Sequence, residues 1–98
     1  MKKSYADYVN HILRFYTRNI HKSKFRSEAD KLNFRAAERV FAGLDDMQRM
    51  LLCEIYTRSD TIYGNVDDVS KIYGIEQKSI WRLINQVSDR IARERILI

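Results

Sequence analysis

The sequence contains no proline, only three glycines and a single cysteine in 98 residues. Without proline, Gly43, Gly64 and Gly74 are the only strong local signals for ending a helix. The single Cys53 excludes a disulfide within the chain and is typical of a reducing compartment. No apolar stretch approaches the roughly 20 residues that a membrane span needs. The composition therefore predicts a small all-α protein of the cytoplasm, without a membrane partner.

Residues with catalytic or metal-binding chemistry are also scarce. The two histidines, His11 and His21, have no neighbouring cysteine and do not form a zinc-binding motif. Asp67 and Asp68 form an acidic pair, but they lie near the start of a predicted helix, where the helix dipole stabilises acids without any catalytic role. No glycine-rich phosphate loop is present. We therefore expect neither an enzyme nor a cofactor.

The positive charge is concentrated at the N-terminus. Residues 1–26 hold seven Lys or Arg and one Asp, a net charge of +6, whereas residues 65–98 hold six cations and five acids, a net charge of +1. The whole chain carries +5, which suits a polyanion such as nucleic acid. Two interpretations of the basic segment 21–26 stay open, an arm that contacts phosphates and a solvated connector.

Apolar residues at three- and four-residue spacing predict a bundle of four to five helices. The first helix runs from Tyr5 to about Ile20 and carries an aromatic stripe that we expect to pack on the other helices. The second is capped by Ser27 and ends at Gly43, and the third begins at Asp45 with Gln48 in the reciprocal capping position. The core candidates of the second and third helices are Leu32, Phe34, Ala36, Ala37, Val40, Phe41, Met47, Met50, Leu51, Ile55 and Tyr56. We expect one domain, with an N-terminal helical part at 1–43 and a C-terminal part at 44–98.

The segment from Asn65 to Arg93 has the spacing of a helix-turn-helix. Asn65 is predicted to cap its first helix, whose buried face would carry Val66, Val69 and Tyr73. Gly74 would then supply a turn with positive φ. The buried stripe predicted for the second helix consists of Ile80, Leu83, Ile84, Val87 and Ile91.

The segment 65–83 resembles the DNA-binding fourth region of primary bacterial sigma factors. Its sequence is Asn65-Val-Asp-Asp-Val-Ser-Lys-Ile-Tyr-Gly-Ile-Glu-Gln-Lys-Ser-Ile-Trp-Arg-Leu83. It is also similar to the small phage and mobile-element regulators that carry only that module. The segment 44–56 resembles the preceding helix of the family. The resemblance implies a transcription regulator whose second motif helix enters the major groove of double-stranded DNA. The sequence departs from the family at Glu76, where a capping Thr or Ser is usual, and at Trp81, where a base-reading Arg is frequent.

The candidate DNA contacts follow from this arrangement. Residues early in the second motif helix could reach base edges, whereas residues around the motif could contact the sugar-phosphate backbone. The base-reading candidates are Gln77, Lys78, Trp81 and Arg82, and the backbone candidates are Arg58, Thr61, Asn65, Lys71, Ser79 and Arg90. Trp81 could contact a thymine methyl or a sugar, or it could cover the core, and both interpretations stay open.

Two other functions remain as alternatives. The family also binds RNA polymerase, so the chain could be an adaptor for polymerase or a sigma factor without reading DNA itself. Small subunits of phage terminases also use a helix-turn-helix, so a DNA-packaging role is the second alternative. The sequence leaves open whether the chain forms a homodimer, and it predicts neither the target sequence nor the sign of regulation.

Overall fold

A computed structural model describes residues 5–22 and 24–96 of the chain. Over these residues the chain forms five α-helices and no strand, which confirms the predicted all-α class. The helices are α1 (Ala6–Arg18), α2 (Glu28–Ala42), α3 (Asp46–Thr57), α4 (Ile62–Tyr73) and α5 (Gln77–Glu94). Lys2 and Lys3, two of the N-terminal cations, lie outside the described residues.

The starts of α2 and α3 follow the predicted capping chemistry. The Ser27 side chain accepts a hydrogen bond from the backbone N–H of Asp30 at 3.1 Å. At the start of α3, the Asp45 carboxylate accepts from the N–H of Gln48, and the Gln48 side chain accepts from the N–H of Asp45. Both caps satisfy amides that have no acceptor within the helix, which fixes where each helix begins.

One hydrophobic core contains buried side chains from all five helices. α1 packs on α2, α3 and α5, while α4 packs on α3 and α5. The aromatic stripe of α1 joins α2, because the Tyr16 ring lies 5.0 Å from Phe34 and 4.7 Å from Phe41 between ring centres. The predicted packing of this stripe is therefore confirmed for most of its length, although its members Tyr8 and Ile20 are exposed, and α1 belongs to the same core as α4 and α5.

Three residues predicted for the core are exposed instead. Leu32 is 44% exposed, Met47 is 55% exposed and Tyr73 is 41% exposed. Leu32 falls outside the buried face of α2, where the polar Asn33 is buried and bonded to Tyr8 and Arg95. Met47 lies in the first turn of α3, ahead of the buried residues of that helix, and Tyr73 is the last residue of α4. Periodicity predicted the five helices but made the buried faces of α2, α3 and α4 too wide at these three positions.

Candidate functional site

The connection between α4 and α5 has the predicted glycine turn. Gly74 adopts φ 64° and ψ 36°, the left-handed conformation that costs least for glycine. The N–H groups of Gly74 and Ile75 both donate to the Ser70 carbonyl, the latter at 3.1 Å. The Ser70 hydroxyl donates to the Ile75 carbonyl at 2.5 Å. These bonds tie both sides of the turn together, so the direction in which α5 leaves α4 is well defined.

The start of α4 differs from the prediction. Thr61 is the cap, and its hydroxyl accepts from the N–H of Gly64 at 3.1 Å. The helix therefore begins about one turn before Asn65, and Gly64 lies inside its first turn instead of ending a loop. A Cβ at Gly64 would lie 2.7 Å from a carboxylate oxygen of Asp60, so the exposed Asp60 side chain would have to turn away to admit a larger residue. The predicted cap at Asn65 is wrong because Thr61 offers an earlier one.

Asn65 is buried inside the fold. Its side chain has no exposed surface, and its Nδ2 lies 2.8 Å from the carbonyl oxygen of Ile55. The same nitrogen lies 3.3 Å from the Arg58 carbonyl and 3.1 Å from the Asp60 carbonyl. Asn65 thus joins α4 to the end of α3 and the following loop. The prediction that it contacts a DNA phosphate is wrong, since no part of its side chain reaches the surface.

The loop between α3 and α4 meets the basic end of α1. We call this region the loop edge, meaning residues 57–61 with Arg14 and Arg18. The Arg14 guanidinium donates to the carbonyls of Arg58 and Asp60 at 3.0 and 2.9 Å, and Arg18 donates to the Arg58 carbonyl at 3.4 Å. The N-terminal charge that the sequence separates from the motif is therefore partly beside it in the fold.

Two backbone candidates, Arg58 and Thr61, lie in the loop edge. The Arg58 side chain is about one third exposed and pairs with Glu54 at 3.1 Å. Thr61 is exposed, although its hydroxyl already accepts the capping bond of α4. Their contacts with DNA stay predictions. The interactions that tie Arg14 and Asn65 to this loop were missed, because they involve backbone carbonyls far away in the sequence.

The first turns of α5 carry the base-reading candidates on an exposed surface. We call Gln77, Lys78 and Arg82 the α5 face, and all three are exposed. Within the described part of the chain, the side chains of Lys78 and Arg82 make no hydrogen bond or ion pair. Gln77 donates to Asp67 at 2.8 Å. Two charged groups on this face are thus available to an external partner without breaking an internal contact.

Asp67 connects Gln77 with Lys71, another backbone candidate. The Lys71 ammonium lies 2.9 Å from the Asp67 carboxylate, and the hydrogen bond between them raises the pKa of Lys71. Both side chains are largely exposed, so this pair contributes little to stability. The helix-start interpretation of Asp67 and Asp68 is wrong, because α4 begins at Ile62 and has no acid in its first turn. The Asp67 carboxylate instead accepts from Gln77 and pairs with Lys71.

The start of α5 lacks a side-chain cap. Glu76 has the extended backbone of a capping residue, but its side chain accepts no hydrogen bond from the first turn. The Glu76 side chain therefore does not replace the capping Thr or Ser that is usual in the sigma region that this segment resembles. Ser79 lies in this first turn and is exposed, whereas Arg90 is exposed about three turns later along α5.

Trp81 contacts both the core and an exposed aromatic residue. The indole is partly buried against the core, and its ring centre lies 4.8 Å from that of Tyr63, with the planes tilted by 49°. Tyr63 is 78% exposed and lies in the additional first turn of α4. The packing interpretation of Trp81 is thus correct in part. Its aromatic partner does not follow from the sequence, because a cap at Asn65 leaves Tyr63 outside the predicted helix.

The described residues contain no group of three or more His, Cys, Asp or Glu side chains placed to hold a metal ion. No helix in the described ranges combines the length and apolar character that crossing a membrane requires. No protein-family model matches the chain, and neither the curated proteins nor the solved structures include a match.

Proposed function

We propose that this chain is a sequence-specific DNA-binding transcription regulator that places the first turns of α5 in the major groove. The observation that carries the proposal is the α5 face. Its two cations are exposed and unpartnered, and they follow directly after a turn that is fixed by hydrogen bonds to α4. A rigid helix that presents Gln, Lys and Arg side chains matches the donor and acceptor pattern of base edges.

The arrangement around α5 supports a duplex as the partner. Arg14 and Arg18 bring positive charge to the loop edge, at the end of α3 where α4 begins. A helix-turn-helix places this part of the motif along the DNA backbone, so these residues would add to the attraction for phosphates. The modest net charge of residues 65–98 is thus supplemented by the N-terminal part of the chain.

The contact between Gln77 and Asp67 is compatible with base reading. Both groups are at the surface, where a hydrogen bond to another partner replaces an exposed one at small cost. The Gln77 amide could then bond adenine, while Lys78 and Arg82 donate to guanine acceptors. Lys71, Ser79 and Arg90 are the backbone contacts proposed along α4 and α5, together with Arg58 and Thr61 at the loop edge.

The test is selection of duplexes from a random pool by the intact chain, at two salt concentrations, followed by sequencing. The variant Lys78→Ala, Arg82→Ala should lose the enriched motif, because each residue contributes about 1–3 kcal/mol of specific binding. The matched control, Lys31→Ala, Arg35→Ala, removes two exposed charges from α2 and should keep the motif. A palindromic motif would indicate a homodimer.

Retention without a motif, or retention that the α5 variant does not alter, would contradict the proposal. Absence of any retention would favour the adaptor function, with RNA polymerase as the partner to test by direct binding. Retention that depends on salt but not on sequence would favour a packaging role similar to that of terminase small subunits.

A further inference from the structure

The Tyr63 and Trp81 rings form an exposed aromatic pair between α4 and α5. Their ring centres are 4.8 Å apart, and Tyr63 is 78% exposed although an aromatic side chain of its size is ordinarily more covered. Tyr63 occupies the first turn of α4, which exists because Thr61 caps the helix earlier than Asn65 would. The exposed aromatic pair therefore depends both on the early cap at Thr61 and on the tryptophan in α5.

Cations lie next to this pair along the sequence of α5. Trp81 is three residues after Lys78 and directly before Arg82, both of which are exposed and without an internal partner among the described residues. An aromatic surface on a helix that also carries free cations matches a DNA strand, because the ring can cover a sugar while the positive charge raises the attraction for the polyanion. A purely apolar partner would leave these charges without compensation.

The two aromatic residues differ in what they can offer to DNA. Trp81 packs on the core as well as on Tyr63, so turning its indole toward a base would break both contacts. Tyr63 is free at its outer edge, and its hydroxyl makes no hydrogen bond within the described ranges. A tyrosine hydroxyl can donate to a phosphate oxygen, which fixes register without reading sequence.

We infer that Tyr63 contacts the sugar-phosphate backbone of DNA and that Trp81 is a positioning residue that holds Tyr63 in place and reads no base. This inference rests on the proposed function and assigns a contact to the α4 turn ahead of Asn65. It also assigns Trp81 a role different from that of the base-reading Arg found at this position in the sigma family.

The experiment measures binding of the intact chain to the selected duplex and to duplexes that each carry one changed base pair. Tyr63→Phe should raise Kd by about three- to tenfold on every duplex, the size expected for losing one hydrogen bond at an exposed site. Trp81→Ala should raise Kd by a similar factor, with no change in preference among the duplexes. Trp81→Phe keeps an aromatic support for Tyr63 and should restore most of the affinity.

A double variant tests whether the two residues act together. Because Trp81 acts through Tyr63, adding Trp81→Ala to Tyr63→Ala should weaken binding no further than Tyr63→Ala alone. The dependence of Kd on salt should keep its slope in Tyr63→Phe, since the hydroxyl is neutral, whereas Lys71→Ala, which removes a proposed phosphate contact, should reduce that slope by about 1. Tyr73→Phe is the matched control, since Tyr73 is also exposed on α4 but has no ring contact with Trp81, and it should leave Kd unchanged.

Intrinsic fluorescence gives a second measurement, because Trp81 is the only tryptophan of the chain. Its emission should change with the same midpoint as duplex binding. A loss of preference at particular base pairs in Trp81→Ala, with wild-type affinity in Tyr63→Phe, would overturn the inference and return Trp81 to base reading. Failure of the wild-type chain to bind any duplex would instead overturn the proposed function together with this inference.

Discussion

The loop edge and the α5 face carry similar residue types but use them differently. At the loop edge, the Arg14 guanidinium donates to the carbonyls of Arg58 and Asp60. The adjacent Asn65 of α4 is buried against the same two carbonyls and that of Ile55. On the α5 face, Lys78 and Arg82 have no partner in the described part of the chain. The first region uses its polar groups to hold the fold, and the second leaves them available.

This difference shows why a count of charges does not measure a binding surface. Arg14 and Lys78 contribute equally to the net charge of the chain, yet only Lys78 could bind a ligand without giving up an internal hydrogen bond. The two regions should therefore respond differently to substitution. Changes at Arg14 and Asn65 should chiefly lower stability, while changes at Lys78 and Arg82 should alter binding alone.

The largest effect is expected at Asn65. Asn65→Ala removes the donor shared by three carbonyls and leaves a small cavity, so the free energy of unfolding should fall by roughly 2–3 kcal/mol. Urea unfolding followed by circular dichroism measures this. The control is Asn85→Ala on the exposed side of α5, which should change stability by less than about 0.5 kcal/mol. Equal small losses in both variants would show that Asn65 is not a structural anchor.

The second largest loss of stability is expected at Gly74, in the turn between α4 and α5. Gly74→Ala should cost about 1–2 kcal/mol, because a residue with a Cβ is disfavoured at φ 64° even though an added Cβ would meet no atom within 4 Å. Gly43→Ala is the matched control, since Gly43 has φ −88° and should tolerate alanine. Thermal and urea unfolding of the two variants give the comparison. Equal stability of the two variants would contradict a left-handed requirement at Gly74.

The direct comparison of the two regions uses Arg14 and Lys78. Arg14→Ala should lower the free energy of unfolding by about 1 kcal/mol through its lost hydrogen bonds, which are partly exposed. Lys78→Ala should leave stability within about 0.5 kcal/mol of wild type and weaken DNA binding. Unfolding and duplex titrations on the same preparations separate the two effects. The distinction would collapse if Arg14→Ala weakened binding as Lys78→Ala does, with stability unchanged.

The smallest effect is a gain in stability at Glu76, the residue directly before the α5 face. Glu76→Ser places a capping hydroxyl at a residue that already has an extended backbone, so stability should rise by about 0.5–1 kcal/mol. Glu76→Ala removes the same carboxylate without adding a cap and is the control. The gain should appear as a higher urea midpoint for the serine variant only. A similar rise in both variants would attribute the effect to charge instead of capping.

Features that depend on neighbouring residues were predictable from the sequence. Ser27, the pair Asp45 and Gln48, and the left-handed Gly74 all act on amides or carbonyls within a few residues, so composition and spacing were sufficient to find them. The all-α class follows from the same local signals, together with the absence of proline.

Features that depend on distant groups were not predictable in this way. Asn65 has the chemistry of a cap, but carbonyls supplied by the end of α3 and the following loop decide its role. Trp81 and Tyr63 meet only because α4 starts at Ile62 and α5 lies across it. The DNA contacts themselves remain proposals, since they depend on a molecule outside the chain.

The hydrogen bonds from α1 to the loop between α3 and α4 show how far the C-terminal part of the chain depends on the N-terminal part. Residues 44–98 carry the family resemblance, yet α1 contributes the fully buried Val9, Ile12 and Leu13 to their core and the Arg14 contacts to their loop. The Tyr56 hydroxyl, in turn, donates to Asn10 of α1. A fusion protein given only the C-terminal segment would inherit the recognisable motif without its structural support. Because α2 also contributes buried side chains to the same core, the unit that can be transplanted is the whole five-helix bundle.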